Sequence, residues 1–351
     1  MMPLVSILIP AYNAERWIAD TIRSALAQTW PRKEIIIVDD GSRDRTLVIA
    51  QQFASRNVLV VTQENQGAAA ARNKALALSQ GDYIQWLDAD DLLSLDKIER
   101  QMEVALAEGM NKSTLLSGPW AYFRYRTKVA KFRHTPLWCD LSPVEWLVRR
   151  WEHNLHMQTA TWLISRELAE RAGPWDIRLL SNDDGEYLCR VIKISDVIKF
   201  VPIGRVFYRI TDSNRLSYVG HSTRKVRAQL LGLQLQIQHL LSVEDSPRTR
   251  SVCLQRLQTW FGNFYPENNE LMSHVQQLAI SLGGRLESPP RLSWKYAWIQ
   301  KLFGWTAARR ARLYYNQAKS AAAGFYDAML FCIESPGERR KGVSGSTIKP
   351  A

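Results

Sequence analysis

The first 90 residues of the chain alternate short apolar runs with amphipathic segments, which restricts the folds open to it. Four β-branched or apolar runs predict strands at residues 4–10, 34–38, 58–61 and 83–87. Three segments with the helical spacing of apolar residues lie between them, at residues 13–26, 46–53 and 67–78. This order is typical of a parallel sheet joined by right-handed crossover helices. The sequence therefore predicts an α/β fold with a mostly parallel central sheet. Further along, residues 159–164 are also predicted to form a strand.

Polar or acidic clusters follow three of these strands, at Tyr12-Asn13, Asp39-Asp40 and Asp88-Ala89-Asp90. The carboxyl ends of parallel strands meet at one edge of a sheet, where ligands bind in open α/β folds. Carboxylate oxygens are the ligands that Mg²⁺ and Mn²⁺ prefer, and diphosphates usually reach proteins as metal complexes. Acids can instead mark the start of a helix. We expect a binding site at this edge, with Asp91 as the cap of the next helix.

Composition limits the class of protein. The four cysteines are far apart and form no C-x-x-C pair, which argues against a zinc site or a disulfide framework and suits a reducing cytosol. No apolar run reaches the ~18 residues of a membrane span, and no basic-plus-apolar signal region precedes the first strand. We therefore expect a cytoplasmic protein.

The net positive charge of the chain is concentrated in its last third. Residues 221–351 carry 18 of the 46 basic residues but only 8 of the 34 acidic ones. Within them, residues 294–319 place Trp294, Trp298, Leu302 and Trp305 close to one helical face, among lysines and arginines. Such a helix suits an anionic membrane surface; packing on the rest of the protein, or binding a protein partner or polyanion, are the alternatives. Nucleic acid is not expected, because no recognition module accompanies the aromatic residues.

Four motifs together resemble the family 2 glycosyltransferases of GT-A fold. They are residues 5–13 (VSILIPAYN), 35–42 (IIIVDDGS), Asn65-Gln66-Gly67 with Ala71-Arg72-Asn73, and 87–91 (LDADD). The similarity covers roughly residues 3–215. It implies a GT-A domain over residues 1–220, with a donor half to about 110 and an acceptor half from about 111. A basic helical extension over 221–334 and a disordered tail over 335–351 would follow.

The resemblance also implies a nucleotide-diphospho-sugar donor, which we expect to be a UDP-sugar, and a Mg²⁺ or Mn²⁺ ion. Its donor-site residues would be Pro10, Ala11, Tyr12, Asp40, Arg72, Asp88, Ala89 and Asp90. Tyr12 would pack on the base, and Asp40 would accept the uracil imide N–H, although Asp-Asp-Gly is also a common turn. Asp90 would coordinate the metal, with Asp88 at the ribose or a metal-bound water. Arg72 would approach the phosphates or be only a surface helix arginine.

The general base of the family is an aspartate in an acidic pair before a helix. By that likeness Asp184 is the base and Asp183 its support, following Gly173-Pro174-Trp175-Asp176. The usual pair is Glu-Asp, so Asp-Asp is a departure, and helix capping is the alternative. A base placed this way implies single displacement with inversion. His221 is a candidate late metal or phosphate ligand, or a surface histidine.

These features predict an inverting, metal-dependent glycosyltransferase. It would move one sugar to a cell-surface glycan or lipid-linked acceptor, since no Gln-x-x-Arg-Trp signature of processive synthases is present. It would be cytoplasmic and peripheral on the inner face of the plasma membrane. The rival hypotheses are a non-catalytic nucleotide-sugar-binding scaffold and a sugar nucleotidyltransferase. The latter would usually carry a glycine- and basic-residue-rich loop after the first strand, which Pro10-Ala11-Tyr12-Asn13 is not.

Overall fold

The computed structural model describes residues 2–211, 223–262, 269–288 and 292–334. Its strands are β1 (Val5–Ala11), β2 (Lys33–Asp39), β3 (Val58–Thr62), β4 (Tyr83–Trp86), β5 (Leu92–Leu93), β6 (Thr114–Ser117), β7 (Trp120–Phe123), β8 (Ile164–Ser165), β9 (Val197–Phe200) and β10 (Val206–Arg209). Its helices are α1 (Ile18–Leu26), α2 (Thr46–Gln51), α3 (Ala68–Leu78), α4 (Lys97–Ala107), α5 (Pro143–Glu152), α6 (Arg166–Ala172), α7 (Asp183–Lys193), α8 (Thr223–Leu241), α9 (Pro247–Phe261), α10 (Asn269–Ser281) and α11 (Trp294–Glu334).

The central sheet has the order β3-β2-β1-β4-β8. The first four strands run parallel, and β8 is antiparallel to β4. All seven residues of β1 are buried, as expected for a strand covered on both faces. The predicted α/β fold with a mostly parallel sheet is confirmed, and β1 lies between the two strands whose ends carry the acidic clusters.

Two local expectations were wrong. Residues 159–164 are not a continuous strand: Thr159–Thr161 form a 3₁₀ turn, because the Gln158 side chain accepts a hydrogen bond from the Ala160 amide. Only Ile164–Ser165 pair with β4. The first helix begins at Ile18 rather than at Asn13, which has a positive φ of 47°. The Asn13 side chain instead accepts from the Arg43 amide at 2.9 Å.

Two smaller sheets lie beside the carboxyl edge of the central sheet. β10 pairs antiparallel with β5 and parallel with β7, and β6 pairs parallel with β9. Because β5 directly follows the Asp88–Asp91 turn, β10 is hydrogen-bonded next to that turn. The β5-β10-β7 sheet therefore holds residues 206–209 next to the Asp88–Asp91 turn.

The helices after residue 222 extend the core. Leu230 and Leu233 of α8 and Leu257 of α9 share one apolar cluster with Trp86 of β4 and Tyr187 of α7. Consequently α7 is packed between the central sheet and the C-terminal helices. None of the helices in the described residues is long and apolar enough to cross a membrane.

The last helix both docks on the domain and exposes aromatic residues. It is broken at Gly304, whose φ of 80° and ψ of 170° are not helical. Beyond the break, Arg126 pairs with Asp327 at 2.8 Å and with Glu334 at 2.7 Å. Before it, Trp294 and Leu302 are 80% and 68% exposed. These ion pairs lie beyond the 294–319 segment. Within it, Trp305 is buried, whereas the near half of α11, before Gly304, presents apolar side chains to solvent. Residues 335–351 lie outside the described residues.

Candidate active site

The carboxyl ends of β1 and β2 meet as the sequence predicts. Ala11 is in register with Asp39, and the Asp40 amide donates to the Ala11 carbonyl at 2.8 Å. Pro10 and Ala11 are buried in the strand, whereas the Tyr12 side chain just beyond it is 46% exposed. This edge therefore presents one exposed aromatic ring beside a buried carboxyl group.

The Asp40 carboxylate holds the loop that precedes α3. It accepts hydrogen bonds from Gln63 Nε2 at 2.8 Å, the Gln66 amide at 2.9 Å and the Gly67 amide at 2.8 Å. An ionised carboxylate has about four acceptor positions, so about one is left for a ligand. The Asn65-Gln66-Gly67 motif thus fixes Asp40 in place, and a bond from Asp40 to a base stays a prediction.

Asp91 is not a helix cap, which corrects the sequence-based expectation. It is fully buried, and its carboxylate accepts from the Arg209 amide at 2.8 Å and from Gln158. Burial raises its pKa, and the neighbouring charges of Asp90 and Asp88 add to that effect. The next helix, α4, begins only at Lys97. Asp91 instead connects the acidic turn to β10 and to the 3₁₀ turn.

Backbone contacts hold the Asp88–Asp91 turn from two sides. Thr21 Oγ1 donates to the carbonyls of Ala89 at 3.0 Å and Asp91 at 2.9 Å. Arg209 Nε donates to the Asp90 carbonyl at 2.7 Å. The side chains of Asp88 and Asp90 are half-buried at the edge, so the turn presents two carboxylates from a fixed backbone.

These two carboxylates fit a Mg²⁺ or Mn²⁺ ion that is shared with a substrate. Within the described residues, no group of three His, Cys, Asp or Glu side chains could hold a metal alone. Mg²⁺ is usually bound by one or two carboxylates together with substrate phosphates, and it keeps several waters. Asp90 would be the principal ligand, because one oxygen of Asp88 already accepts from Arg72. The ion would supply neutralisation of diphosphate charge.

Arg72 is a buried bridge and not a surface arginine. Its Nη2 pairs with Asp88 Oδ1 at 2.8 Å and its Nη1 with Asp183 Oδ2 at 2.6 Å, and its guanidinium lies 4.4 Å from the Trp175 ring centroid. Burial alone would lower the pKa of Arg72, but the charges of Asp183 and Asp88 outweigh it and raise the pKa. Arg72 thus joins the edge of the sheet to the start of α7.

The predicted acidic pair lies in the first turn of α7. Asn182 precedes the first helical residue with a positive φ of 63°, so neither aspartate is the N-cap. Burial raises the pKa of Asp183 to about 6 against the opposing charge of Arg72. Asp184 is half-buried, and its Oδ1 accepts from the Gly185 amide at 2.8 Å. The two acids therefore differ: Asp183 is paired, whereas Asp184 has no ion pair among the described residues.

An aromatic stack supports this junction. Trp175 lies parallel to Tyr187 with ring centroids 4.1 Å apart, and Trp86 meets Trp175 edge-on at 5.2 Å. Asn73 donates to the Trp175 carbonyl at 2.9 Å and accepts from its amide at 2.7 Å. The Ala71-Arg72-Asn73 motif therefore fixes the 175–184 segment through both polar residues.

Sequence reasoning missed several supporting residues. Thr21, Gln158 and Arg209 hold the acidic turn, yet each belongs to a distant segment of the chain. The Tyr208-Arg209 pair resembles the closing strand of the family 2 glycosyltransferases, and this is the signal that could have found Arg209. His221 lies outside the described residues.

Comparison with known proteins identifies the family. Residues 6–171 match the model of glycosyl transferase family 2. This segment of the chain, residues 6–171, belongs to that family. The match accounts for the four motifs and for the strand-end site that they build.

The chain is also similar to named members. It is 43% identical over 137 residues to the putative teichuronic acid biosynthesis glycosyltransferase TuaG of Bacillus subtilis, covering 38% of this chain and 54% of that protein. It is 36% identical over 130 residues to the Escherichia coli UDP-Glc:alpha-D-GlcNAc-diphosphoundecaprenol beta-1,3-glucosyltransferase WfgD, covering 37% of this chain and 50% of that protein. The chain thus spans about half the length of these curated relatives.

The fold extends beyond the matched segment. Staphylococcus aureus TarS in complex with UDP-GlcNAc aligns with 80% of this chain and 81% of its own, at a TM-score of 0.63 and 16% identity. At that identity the likeness concerns the fold alone. It includes C-terminal helical structure, so the family 2 domain and at least part of the helices after it form a shared architecture.

Proposed function

We propose that the protein is an inverting, metal-dependent glycosyltransferase that moves one sugar from a UDP-sugar to an acceptor hydroxyl. The observation that carries this proposal is the Arg72 bridge. It links Asp88, at the edge where a diphosphate and its metal ion would bind, to Asp183, which precedes the half-buried Asp184. A base next to a donor site is the arrangement that direct displacement requires.

The roles follow from the contacts. Tyr12 would stack on the base while Asp40 accepts its imide N–H, and Asp90 would hold the metal ion, which would be Mg²⁺ or Mn²⁺. Asp184 would take the proton of the acceptor hydroxyl as that oxygen attacks the anomeric carbon. The nucleoside diphosphate leaves from the opposite face, which gives inversion.

The acceptor is proposed to be a cell-surface glycan or its lipid carrier. TuaG is named for teichuronic acid biosynthesis, and the name of WfgD includes a diphosphoundecaprenol-linked sugar. Both names support an acceptor of this class here.

The deciding experiment is turnover of a panel of UDP-sugars with Mn²⁺, followed by the Asp184→Asn variant. We expect transfer to fall at least 100-fold, since a positioned base contributes about 10²–10⁴, while UDP affinity stays within about twofold. Asp176→Asn is the matched control, because Asp176 is a nearby acid already paired with Arg178. Release of pyrophosphate would indicate a nucleotidyltransferase, and donor binding without turnover would indicate a scaffold.

We also propose that the near half of α11 contacts an anionic membrane surface on the cytoplasmic side. Trp294, Trp298 and Leu302 recur every four residues, so they share one helical face, and they are 80%, 59% and 68% exposed. Lys295 and Lys301 lie in the same segment. Exposed tryptophans beside lysines suit the headgroup region, where a lipid-linked acceptor would be reached.

A further inference from the structure

Two buried arginines, one on α5 and one on α9, form no ion pair with a described acidic residue. Arg150, in the last turn of α5, is 7% exposed, and Arg256 of α9 is 6% exposed. The Nε atoms of both are buried without a hydrogen-bond partner. In the described parts of the chain neither guanidinium forms an ion pair; Arg256 Nη1 donates only to Asn154 Oδ1, at 3.1 Å.

The two guanidinium groups are neighbours. Helices α5 and α9 pack together, and the contact from Arg256 reaches Asn154, which follows directly after α5. Burial, together with the positive charge of Arg150, lowers the pKa of Arg256 to about 9. Two like charges therefore share one buried region.

Each guanidinium lies near a tryptophan ring, Arg150 at 5.8 Å from Trp146 and Arg256 at 5.1 Å from Trp260. Such contacts are worth about 0.5–2 kcal/mol and offset only part of the cost of burying two like charges. Buried charges in proteins are normally paired, and an unpaired one costs several kcal/mol. The contrast within this molecule is Arg72, which is equally buried but pairs with two carboxylates. Arg150 and Arg256 thus resemble half of an ion pair whose other half is not part of the described chain.

The position of the pair relates it to the proposed base. Burial lowers the pKa of Arg150, and the nearby Cys189 and Asp184 oppose that shift. Helix α5 packs against α7 as well as against α9, and the first turn of α7 holds Asp184. Asp184 therefore lies between the Arg72–Asp183 link to the donor edge and the side of the molecule formed by α5 and α9. The donor diphosphate would lie at the ends of β1, β2 and β4, on the first side.

We propose that Arg150 and Arg256 bind a phosphate or diphosphate group of the acceptor, next to Asp184. The inference rests on the proposed function, because it takes Asp184 as the base that receives the acceptor. Two guanidinium groups match the charge of a diphosphate and can donate several hydrogen bonds to its oxygens. Anchoring this group would place a hydroxyl of the same acceptor at Asp184.

The test measures binding of inorganic pyrophosphate to the full-length protein saturated with UDP and Mg²⁺, by calorimetry. We expect binding to the wild-type protein and at least a tenfold loss in Arg150→Met and in Arg256→Met. Arg248→Met is the matched control, since Arg248 lies on the same helix, is exposed and pairs with Glu244. Pyrophosphate binding that persists in both buried-site variants would overturn the proposal. So would pyrophosphate binding that is seen without UDP but is lost when UDP fills the donor site. Acetate in place of pyrophosphate should bind at least tenfold more weakly; equal binding would indicate a carboxylate site instead.

Thermal unfolding separates this role from a structural one. Removing an unpaired buried charge should leave Tm unchanged or raise it, whereas losing a structural arginine would lower it by several degrees. Pyrophosphate should raise the Tm of the wild-type protein only. Hydrolysis of the UDP-sugar by the wild-type protein and by Arg248→Met tests the proposed function separately: the control should retain it, and its absence in the wild-type protein would count against the glycosyltransferase proposal itself.

Discussion

Arg72 forms ion pairs with two of the acids at the site and not with Asp184. It compensates the Asp88 and Asp183 carboxylates, which lie on separate elements, and leaves Asp184 with no ion pair in the described residues. A base must accept a proton, so a carboxylate that already shares a guanidinium is poorly suited to the task. The division of labour between Asp183 and Asp184 therefore follows from which of them Arg72 contacts.

Asp183→Asn should make the free energy of unfolding less dependent on pH between about pH 4 and 6. The pKa of Asp183 is about 6 in the folded protein against an ordinary value of 3.8, so between those values the folded state binds the proton more readily than the unfolded chain. The free energy of unfolding of the wild-type protein should therefore fall as pH rises from about 4 to 6. Urea titrations at pH 4, 5, 6 and 7 measure it.

Asp176→Asn is the control for this series. Hydrogen bonds from Arg178 lower the pKa of Asp176 below its ordinary value of 3.8. The stability that the Asp176 carboxylate contributes is therefore fully present above about pH 4 and is lost only at lower pH. The difference between the Asp176→Asn and wild-type curves should stay constant from pH 4 to 6. Parallel curves for Asp183→Asn and the wild-type protein would contradict the raised pKa.

At the scale of elements, β10 is the strand that fixes the acidic turn. Arg209 at its end donates to the carbonyls of Asp90 at 2.7 Å and Arg124 at 2.9 Å, and it lies 4.3 Å and 4.4 Å from the ring centroids of Trp17 and Phe123. One side chain thus joins β4, β7 and the segment before α1. Unlike Arg150, this buried guanidinium has hydrogen-bonded partners.

Arg209→Met should lower the free energy of unfolding by about 3 kcal/mol, because two buried carbonyls lose a charged donor. It should also weaken Mn²⁺ binding several-fold, as the backbone of Asp90 is no longer held. Urea unfolding and titration of Mn²⁺ by electron paramagnetic resonance measure the two effects. Arg205→Met is the control: Arg205 is exposed and lies just before β10, so its replacement should change neither the stability nor Mn²⁺ binding. Unaltered Mn²⁺ binding in a folded Arg209→Met protein would show that Arg209 does not position the turn.

The sequence predicted the strands and strand-end residues that have a local signal. It missed the contacts between residues that are far apart in the chain. Strand-end clusters correctly placed Tyr12, Asp40, Asp88 and Asp90 at one edge of the sheet, because parallel strands bring their ends to one edge whatever the loops do. Asp91 was misassigned, since its partners Gln158 and Arg209 are 67 and 118 residues away along the chain. No helical or strand period encodes a contact of that kind.

At the scale of the molecule, the last helix connects the family 2 domain to an exposed apolar surface. Asp327 accepts from the Tyr125 amide at 3.0 Å and pairs with Arg126 at 2.8 Å, while Ser320 accepts from Arg124 at 2.7 Å. These contacts adjoin the Arg209–Arg124 bond. Removing all of α11 would therefore disturb the domain as well as the surface, so point substitutions are the better probe of membrane contact.

Replacing Trp294 and Trp298 together by serine should abolish flotation of the protein with anionic vesicles. Both side chains are more than half exposed, so stability should change by less than about 1 kcal/mol, while the membrane loses its two interfacial anchors. Ile177→Ser with Ile203→Ser is the matched control, because these residues are 62% and 57% exposed and lie outside α11. Flotation should require anionic lipid and weaken with salt, since Lys295 and Lys301 supply the charge. A wild-type protein that never floats, or a tryptophan variant that floats as well as the control, would exclude α11 as the membrane contact.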